Sequence, residues 1–387
     1  MKDVARGDRV KGAIIGALVG DALGAGPYWF HSKEEIEAHY GPRIDNYVAP
    51  VPGRKHTGLE PGENSQAGLQ IAILLESVAE CGGYDHGDFT RRFDEFLGAH
   101  DFSGDKRGEF RRGSHRAVRQ LHAARKAGID WTTYGSFTDS SNAAIRQAVL
   151  GARYATDLEL AMEKMIENAT LTHHDPFIVG QSVAFGLNVS GMVMGIPIEH
   201  VSNLMMTIRK ESERMVPPDE RVPAVSAAEY CPEWQKNDGI SYRVPITWLG
   251  KTWGEGPDAT TPWHEAVDAV YQFRYAYDAV NHPGITIEPA WAAVYMFGLP
   301  CQMSMVLPAA YYFAARFEDD FEMAVLTAVN SPGQNMTRAT LTGALSGALV
   351  GLSGIPDRFI DGLVGHERLI DLASRVAEAV ESETAAP

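Results

Sequence analysis

A chain of 387 residues, 45% of them hydrophobic and 22% charged, is too apolar for a disordered protein and long enough for a large buried core. Its net charge of -16, with a pI near 5.3 and no excess of Lys or Arg, argues against nucleic acid or an anionic membrane, so neither is expected as a partner. Three widely spaced cysteines, Cys81, Cys231 and Cys301, fit a reducing, cytoplasmic setting better than a disulfide framework.

The first predicted element is a helix from Arg9 to Leu23, after a polar start that reads as frayed. Gly12, Gly16 and Gly20 recur every four residues, so they share one face and admit a closely packed neighbour. Asp21 interrupts the apolar run 13–25, which is also shorter than the roughly 18 residues of a membrane span. An acid near a helix C-terminus opposes the helix dipole, so Asp21 needs a donor, either a structural hydrogen bond or a ligand contact. Pro27-Tyr28-Trp29-Phe30 follows, and Tyr28 and Trp29 read either as a stacking surface for a base or ribose or as a lid anchored in the core. Ser32 and Glu35 form a capping box that starts a short helix to Tyr40.

Residues 45–64 carry Pro50, Pro52, Pro61, Gly53, Gly58 and Gly62 and are predicted as one long loop, with His56 and Glu63 its ionisable groups nearest Ser65. A turn at Gly62 then opens into an apolar helix through Val78, with Ser65 and Gln66 at its start. Helices are expected over 89–99 and 114–127, the second preceded by the basic turn that holds Arg107, Arg111 and Gly113. Ser141, Asn142 and Arg146 open another polar-to-helical stretch. In Thr172-His173-His174-Asp175-Pro176, His173 and Asp175 suit proton transfer, while their number and spacing fall short of a metal ligand set.

An apolar helix is predicted over 180–209, and then the composition changes. Residues 212–263 are rich in proline and hold Trp234, Trp248, Trp253 and Trp263, which reads as an insertion serving as a lid or a homo-oligomer contact. Further helices are expected over 265–280, 289–296, 303–317 and 319–330. At Asn330 a Gly/Pro turn opens a small-residue helix to Val350, which Asn335 or Thr337 is placed to cap. Another helix should start at Pro356, and residues 381–387 are expected to be a disordered tail. No alternating strand pattern competes, so the fold class is all-α, a many-helix bundle forming one domain over 10–365.

Three of these stretches resemble the signature segments of the ADP-ribosylglycohydrolase superfamily, which includes the dinitrogenase-reductase-activating glycohydrolases and the J-crystallins. Gly12 to Ala25 matches G-A-x-x-G-x-x-x-G-D-A-L-G-A. Gly62 to Ser77 resembles G-x-x-T-D-D-T with its following helix, and Val329 to Pro356 resembles V-N-x-G-G-D-x-D-T with its small-residue helix. Weaker matches at Arg107 to Gly113, at 141–146 and at 172–176 border the ligand pocket in that family.

The resemblance implies an all-α glycohydrolase whose pair of hard divalent cations is held by Thr-Asp-Asp of the second segment and Asp-x-Asp-Thr of the third. Here those places hold Ser65, Gln66, Ala67, Gln334, Met336 and Thr337, without one carboxylate. Magnesium and manganese demand anionic oxygens, so no metal or other cofactor is expected. The reading favoured is a metal-independent hydrolase of the N-glycosidic bond of a small nucleoside or ribosyl-nucleotide-like substrate. Asp21, Glu63, His173 and Asp175 are its candidates for proton transfer. Tyr28, Trp29, Ser65, Gln66, Arg111, Ser141, Asn142, Arg146, Gln334, Asn335 and Thr337 are its candidates for ligand binding. The alternatives are an inactive ligand-binding or crystallin-like homologue and a lyase on a sugar-like substrate.

Overall fold

A computed structural model describes residues 4–100, 113, 115–131, 135–136, 138–201 and 276–385. The expected insertion at 212–263 and the predicted site residue Arg111 lie outside these residues, as does most of the helix expected at 265–280.

In chain order the helices are α1 (Arg6–Ala25), α2 (Lys33–Tyr40), α3 (Gln66–Cys81), α4 (His86–Gly98), α5 (Arg116–Lys126), α6 (Asn142–Arg153), α7 (Leu158–Thr170) and α8 (Pro176–Val193). After the undescribed segment come α9 (Ala293–Phe297), α10 (Met303–Arg316), α11 (Phe321–Val329), α12 (Asn335–Val350), α13 (Asp357–Asp361) and α14 (His366–Ala385). The protein is all-α, and two isolated bridges, Ser136 to His173 and Ser140 to Gln302, are the extended pairing among the described residues.

The centre is an antiparallel pair, α1 with α12. In α1 only Arg6, Asp8 and Lys11 escape burial, and in α12 only Val350 does. The glycine spacing explains how two such helices meet. A β-carbon on Gly12 would lie 2.2 Å from the Gly347 carbonyl oxygen, one on Gly16 2.2 Å from that of Gly343, and one on Gly20 2.1 Å from that of Ala339. The backbones therefore touch, and no side chain fits between them. Arg9 on α1 closes the far end of the pair by donating to the Ala348 and Leu349 carbonyls at 2.9 and 2.5 Å, which satisfies the last turn of α12.

The long loop before α3 is pinned at many points. Ile44 N–H donates to Asn330 Oδ1 and Asn330 Nδ2 to the Ile44 carbonyl, both at 2.8 Å, while the Tyr47 hydroxyl donates to the Phe359 carbonyl at 2.6 Å. Ser32 caps α2 by accepting from Glu35 N–H, whereas the Glu35 carboxylate accepts from His31 rather than from Ser32 itself.

Three expectations are corrected. The helix predicted over 180–209 begins at Pro176 and ends at Val193, two residues before Gly195, whose φ of +78° no helix accommodates. The chain end is helical through Ala385, because Val380 is buried and Glu383 pairs with Arg153 at the end of α6. The α12 helix starts without a side-chain cap from Asn335 or Thr337. No described helix is long and apolar enough to cross a membrane.

Candidate functional site

The beginnings of α3 and α12 meet the end of α1 and the loop that leaves it, and the beginning of α6 joins α3 through Arg146. At α12, Gly333 takes φ +84° and a β-carbon there would sit 2.3 Å from the Leu299 carbonyl, so glycine is required. Its N–H donates to the Phe30 carbonyl at 2.7 Å and the Gln334 N–H to the Leu299 carbonyl at 2.8 Å. Beneath this turn Arg338, fully buried, donates to Ser331 Oγ at 2.9 Å and to the Pro332 carbonyl at 3.2 Å. Burial, with no carboxylate among these partners, lowers its pKa to about 9.

Gln334 donates from Nε2 to Thr337 Oγ1 at 2.6 Å, and its Oε1 has no hydrogen-bond partner among the described residues. Asn335 faces the other way. Its Nδ2 donates to the Pro27 and Val329 carbonyls at 3.1 Å each, and its Oδ1 accepts from Trp29 N–H at 3.4 Å. Asn335 thus fastens the aromatic loop instead of offering an amide to a ligand.

In that loop Trp29 has φ +64°, and Tyr28 packs edge-on against His56, itself at φ +66°, with centroids 4.7 Å apart. Left-handed backbone at two non-glycine residues in contact with one ring marks a costly local conformation held by its surroundings. Lys55 Nζ lies 5.2 Å from the centre of the Tyr28 ring and 5.1 Å from that of Trp29. Burial, the neighbouring Cys301 thiol and the charge of Asp21 all raise the Tyr28 pKa, against the side chain of Gln334 beside it.

Asp21 is fully buried, and the groups that hydrogen-bond to it are donors. Ser65 gives its N–H and its hydroxyl, both at 2.7 Å, and Asn64 gives Nδ2 at 3.1 Å. That pattern fits the ionised form, although burial raises the pKa. Ser65 also accepts from Ala67 N–H at 2.9 Å and so caps α3. The dipole argument for Asp21 thus resolves toward a structural hydrogen bond, which locks the start of α3 to α1.

A second cluster is centred on Arg146. Each of its five N–H donors meets a neutral oxygen. Nε donates to Asn168 Oδ1 at 3.0 Å, Nη1 to Gln70 Oε1 at 3.1 Å and to the Asn142 carbonyl at 3.2 Å, and Nη2 to the Asn168 carbonyl at 3.1 Å and to Thr172 Oγ1 at 2.8 Å. Burial lowers the guanidinium pKa to about 10. Arg146 therefore spends all its donors on protein oxygens and organises the groups around it. From Gln70 the chain of bonds runs to Gln66, whose Oε1 accepts from Gln70 Nε2 at 2.9 Å and whose own Nε2 has no partner among the described residues.

From Thr172 the bonds run to His173 Nδ1 at 3.0 Å, and His173 Nε2 meets Ser140 Oγ at 3.1 Å. Burial first, then the charge of Arg146, lowers the pKa of His173 to about 3. Asp175 caps α8 by accepting from Phe177 N–H at 2.9 Å, and Glu63 accepts from Glu60 N–H at 2.9 Å. The four residues predicted for proton transfer thus belong to separate local structures. Ser141, buried, precedes α6 without a side-chain cap bond.

Sequence reasoning missed two members of the convergence. Gln70 lies one helical turn after Gln66, a spacing that does signal a shared face. His115 carries no such signal. Its Nδ1 lies 2.8 Å from Asn142 Oδ1, its Nε2 and Asn142 Nδ2 have no partner among the described residues, and burial lowers its pKa to about 4.

The donor set does not fit a pair of divalent cations. Gln66 and Gln334 are neutral amides, Met336 is a thioether, and Asp21 is taken up by Ser65 and Asn64. Among the described residues no group of three or more His, Cys, Asp or Glu side chains could hold a metal ion.

Comparison with known proteins agrees with the resemblance read from the motifs. An uncharacterized protein of Archaeoglobus fulgidus is 25% identical over 375 residues, 96% of each chain. The ADP-ribosylarginine hydrolase Tri1 of Serratia proteamaculans is 23% identical over 371 residues, 95% of this chain and 79% of that one. A solved ADP-ribosylglycohydrolase-related protein complex has the same fold, with a TM-score of 0.62 over 97% of this chain and 99% of the other at 20% identity. The ADP-ribosylglycohydrolase family model, of a family that acts on ADP-ribosylated substrates, matches residues 2–386. The chain belongs to the ADP-ribosylglycohydrolase family.

Proposed function

We propose that this protein is a metal-independent hydrolase of an N-glycosidic bond in a ribosyl-nucleotide-like or nucleoside substrate. One observation carries the reading. Gln66 Nε2 and Gln334 Oε1 are fully buried without protein partners among the described residues, at positions where the family resemblance implies cation ligands. A buried polar atom left unpaired costs about 1–3 kcal/mol, and sugar hydroxyls, which both donate and accept, would satisfy the pair.

In this reading the two amides hold the ribose directly, and Tyr28 and Trp29 flank the base. Cleavage breaks the bond from the anomeric carbon to the base nitrogen, with positive charge developing on the sugar ring. Asp21, behind Ser65, supplies a fixed negative charge that favours this state. His115, neutral at pH 7 and oriented by Asn142, aims a water at the anomeric carbon through Nε2. The base leaves with the proton that the water gives up, so its nitrogen must be a good leaving group.

A second reading, a ligand-binding homologue without turnover, is favoured by one specific finding. Asp21, Glu63, His173 and Asp175 are each bound into local structure that a proton-transfer role would have to break. Chromatographic detection of free base from a panel of ribosylated compounds, with and without a chelator, separates the two. Release that persists in the chelator supports the hydrolase. Release abolished by it refutes metal independence, and binding without release supports the second reading.

A further inference from the structure

We infer that Arg146 sets the hydrogen-bond polarity of Gln66, so that Gln66 meets the substrate as a donor. The inference rests on the proposed ribosyl site and concerns which atom of the ligand Gln66 can take.

A guanidinium has only donors, so the atom of Gln70 facing Arg146 Nη1 at 3.1 Å has to be the carbonyl oxygen. With Oε1 fixed there, Gln70 has only its amide nitrogen left for Gln66, and it bonds at 2.9 Å to Gln66 Oε1 and at 3.4 Å to the Gln66 carbonyl. Gln66 is then left with Nε2, the atom that has no partner among the described residues.

An isolated glutamine turns its amide over freely. Here a flip at Gln66 would place two donors against each other, and a flip at Gln70 would do so against a cation. The remaining donors of Arg146 are held by Asn168, Thr172 and the Asn142 carbonyl, so the guanidinium cannot turn to relieve either conflict. All the residues that hold the chain are fully or almost fully buried, which keeps water from supplying a substitute partner. Gln334 is under no such constraint, because its partner Thr337 Oγ1, 2.6 Å away, is a hydroxyl that accepts from Nε2 and could equally donate to Oε1 after a flip. One amide is therefore a fixed donor, and the other can adapt to the ligand. The fixed donor at Gln66 suits a hydroxyl or other oxygen of the ligand and discriminates against a ligand that offers only a donor there.

The test is Gln70→Glu. The carboxylate keeps the shape and pairs with Arg146 but cannot donate, so Gln66 must turn its amide and present Oε1. Calorimetric titration with ADP-ribose should show binding weakened about ten- to a hundredfold, with the melting temperature unchanged or raised. Equal affinity in the variant and the wild type would overturn the inference.

An independent readout uses protein labelled with 15N-glutamine. The Gln66 side-chain amide protons should be free of a protein acceptor in the wild type and shift downfield in Gln70→Glu, where the carboxylate accepts them. Amide protons already shifted downfield in the unliganded wild type would overturn the inference even if the variant failed to fold. If the wild type bound no ADP-ribose, the proposed function would fail, and the resonance would still decide the polarity.

Discussion

The seam between α1 and α12 and the polar cluster around Arg146 are both fully buried, yet they are held by opposite means. At the seam, backbone meets backbone at Gly12, Gly16, Gly343 and Gly347, with no side-chain atom to adjust. At the cluster, side chains from α3, from α7 and from the turn after it gather on one guanidinium of α6 through directed bonds. The seam is set by close contact and tolerates no added atom, whereas the cluster is set by the matching of donors with acceptors. A scaffold can therefore stay fixed while the chemistry of its site varies, because the two are specified by different properties of the side chains.

The sharpest way to break this contrast is Gly343→Val. With a β-carbon 2.1 Å from the Gly16 carbonyl oxygen, the helices must separate, and a loss above about 4 kcal/mol is expected. Chemical denaturation should find little folded protein, and a cooperative transition near that of the wild type would refute the seam. Arg146→Met comes next. It leaves the oxygens of Gln70, Asn168 and Thr172 without their donor, and about 3 kcal/mol should be lost. A loss below about 1 kcal/mol would mean that the cluster is already loosely held.

The pH dependence is a smaller effect. His173 is held near pKa 3 against an ordinary 6.5, so the unfolded chain takes up the proton first. Its contribution to stability is complete above about pH 6.5 and is lost as pH falls toward 3, by about 2 kcal/mol at pH 5. The His173→Gln variant should show that much less acid sensitivity between pH 7.5 and 5 in urea titrations. An unchanged acid slope would show that His173 is not held neutral. Ser65→Ala is the mildest change. Losing the α3 cap and one donor to Asp21 should cost about 1–2 kcal/mol. A neutral result would mean that Asp21 finds another donor.

The contrast also explains what the sequence revealed. Glycines four apart announce a close helix contact because the helical period fixes which residues share a face. Gln66 and Gln334 stood out because they fill motif positions where the family has carboxylates. The Arg146 cluster was not legible, since Gln70, Thr172 and Asn168 lie far from Arg146 in sequence and only the packing of three helices joins them. Asn335 misled for the same reason. Its place after a Gly/Pro turn signals a helix cap, but tertiary contacts to Pro27 and Trp29 take its side chain instead.

The central claim is that neutral amides hold a ribosyl ligand where the family resemblance implies cations. The most direct measurement is calorimetric titration of ADP-ribose into the wild-type protein, once in chelator and once in excess magnesium. The account predicts saturable binding in both, with dissociation constants that agree within about twofold. Binding seen only with magnesium would contradict it.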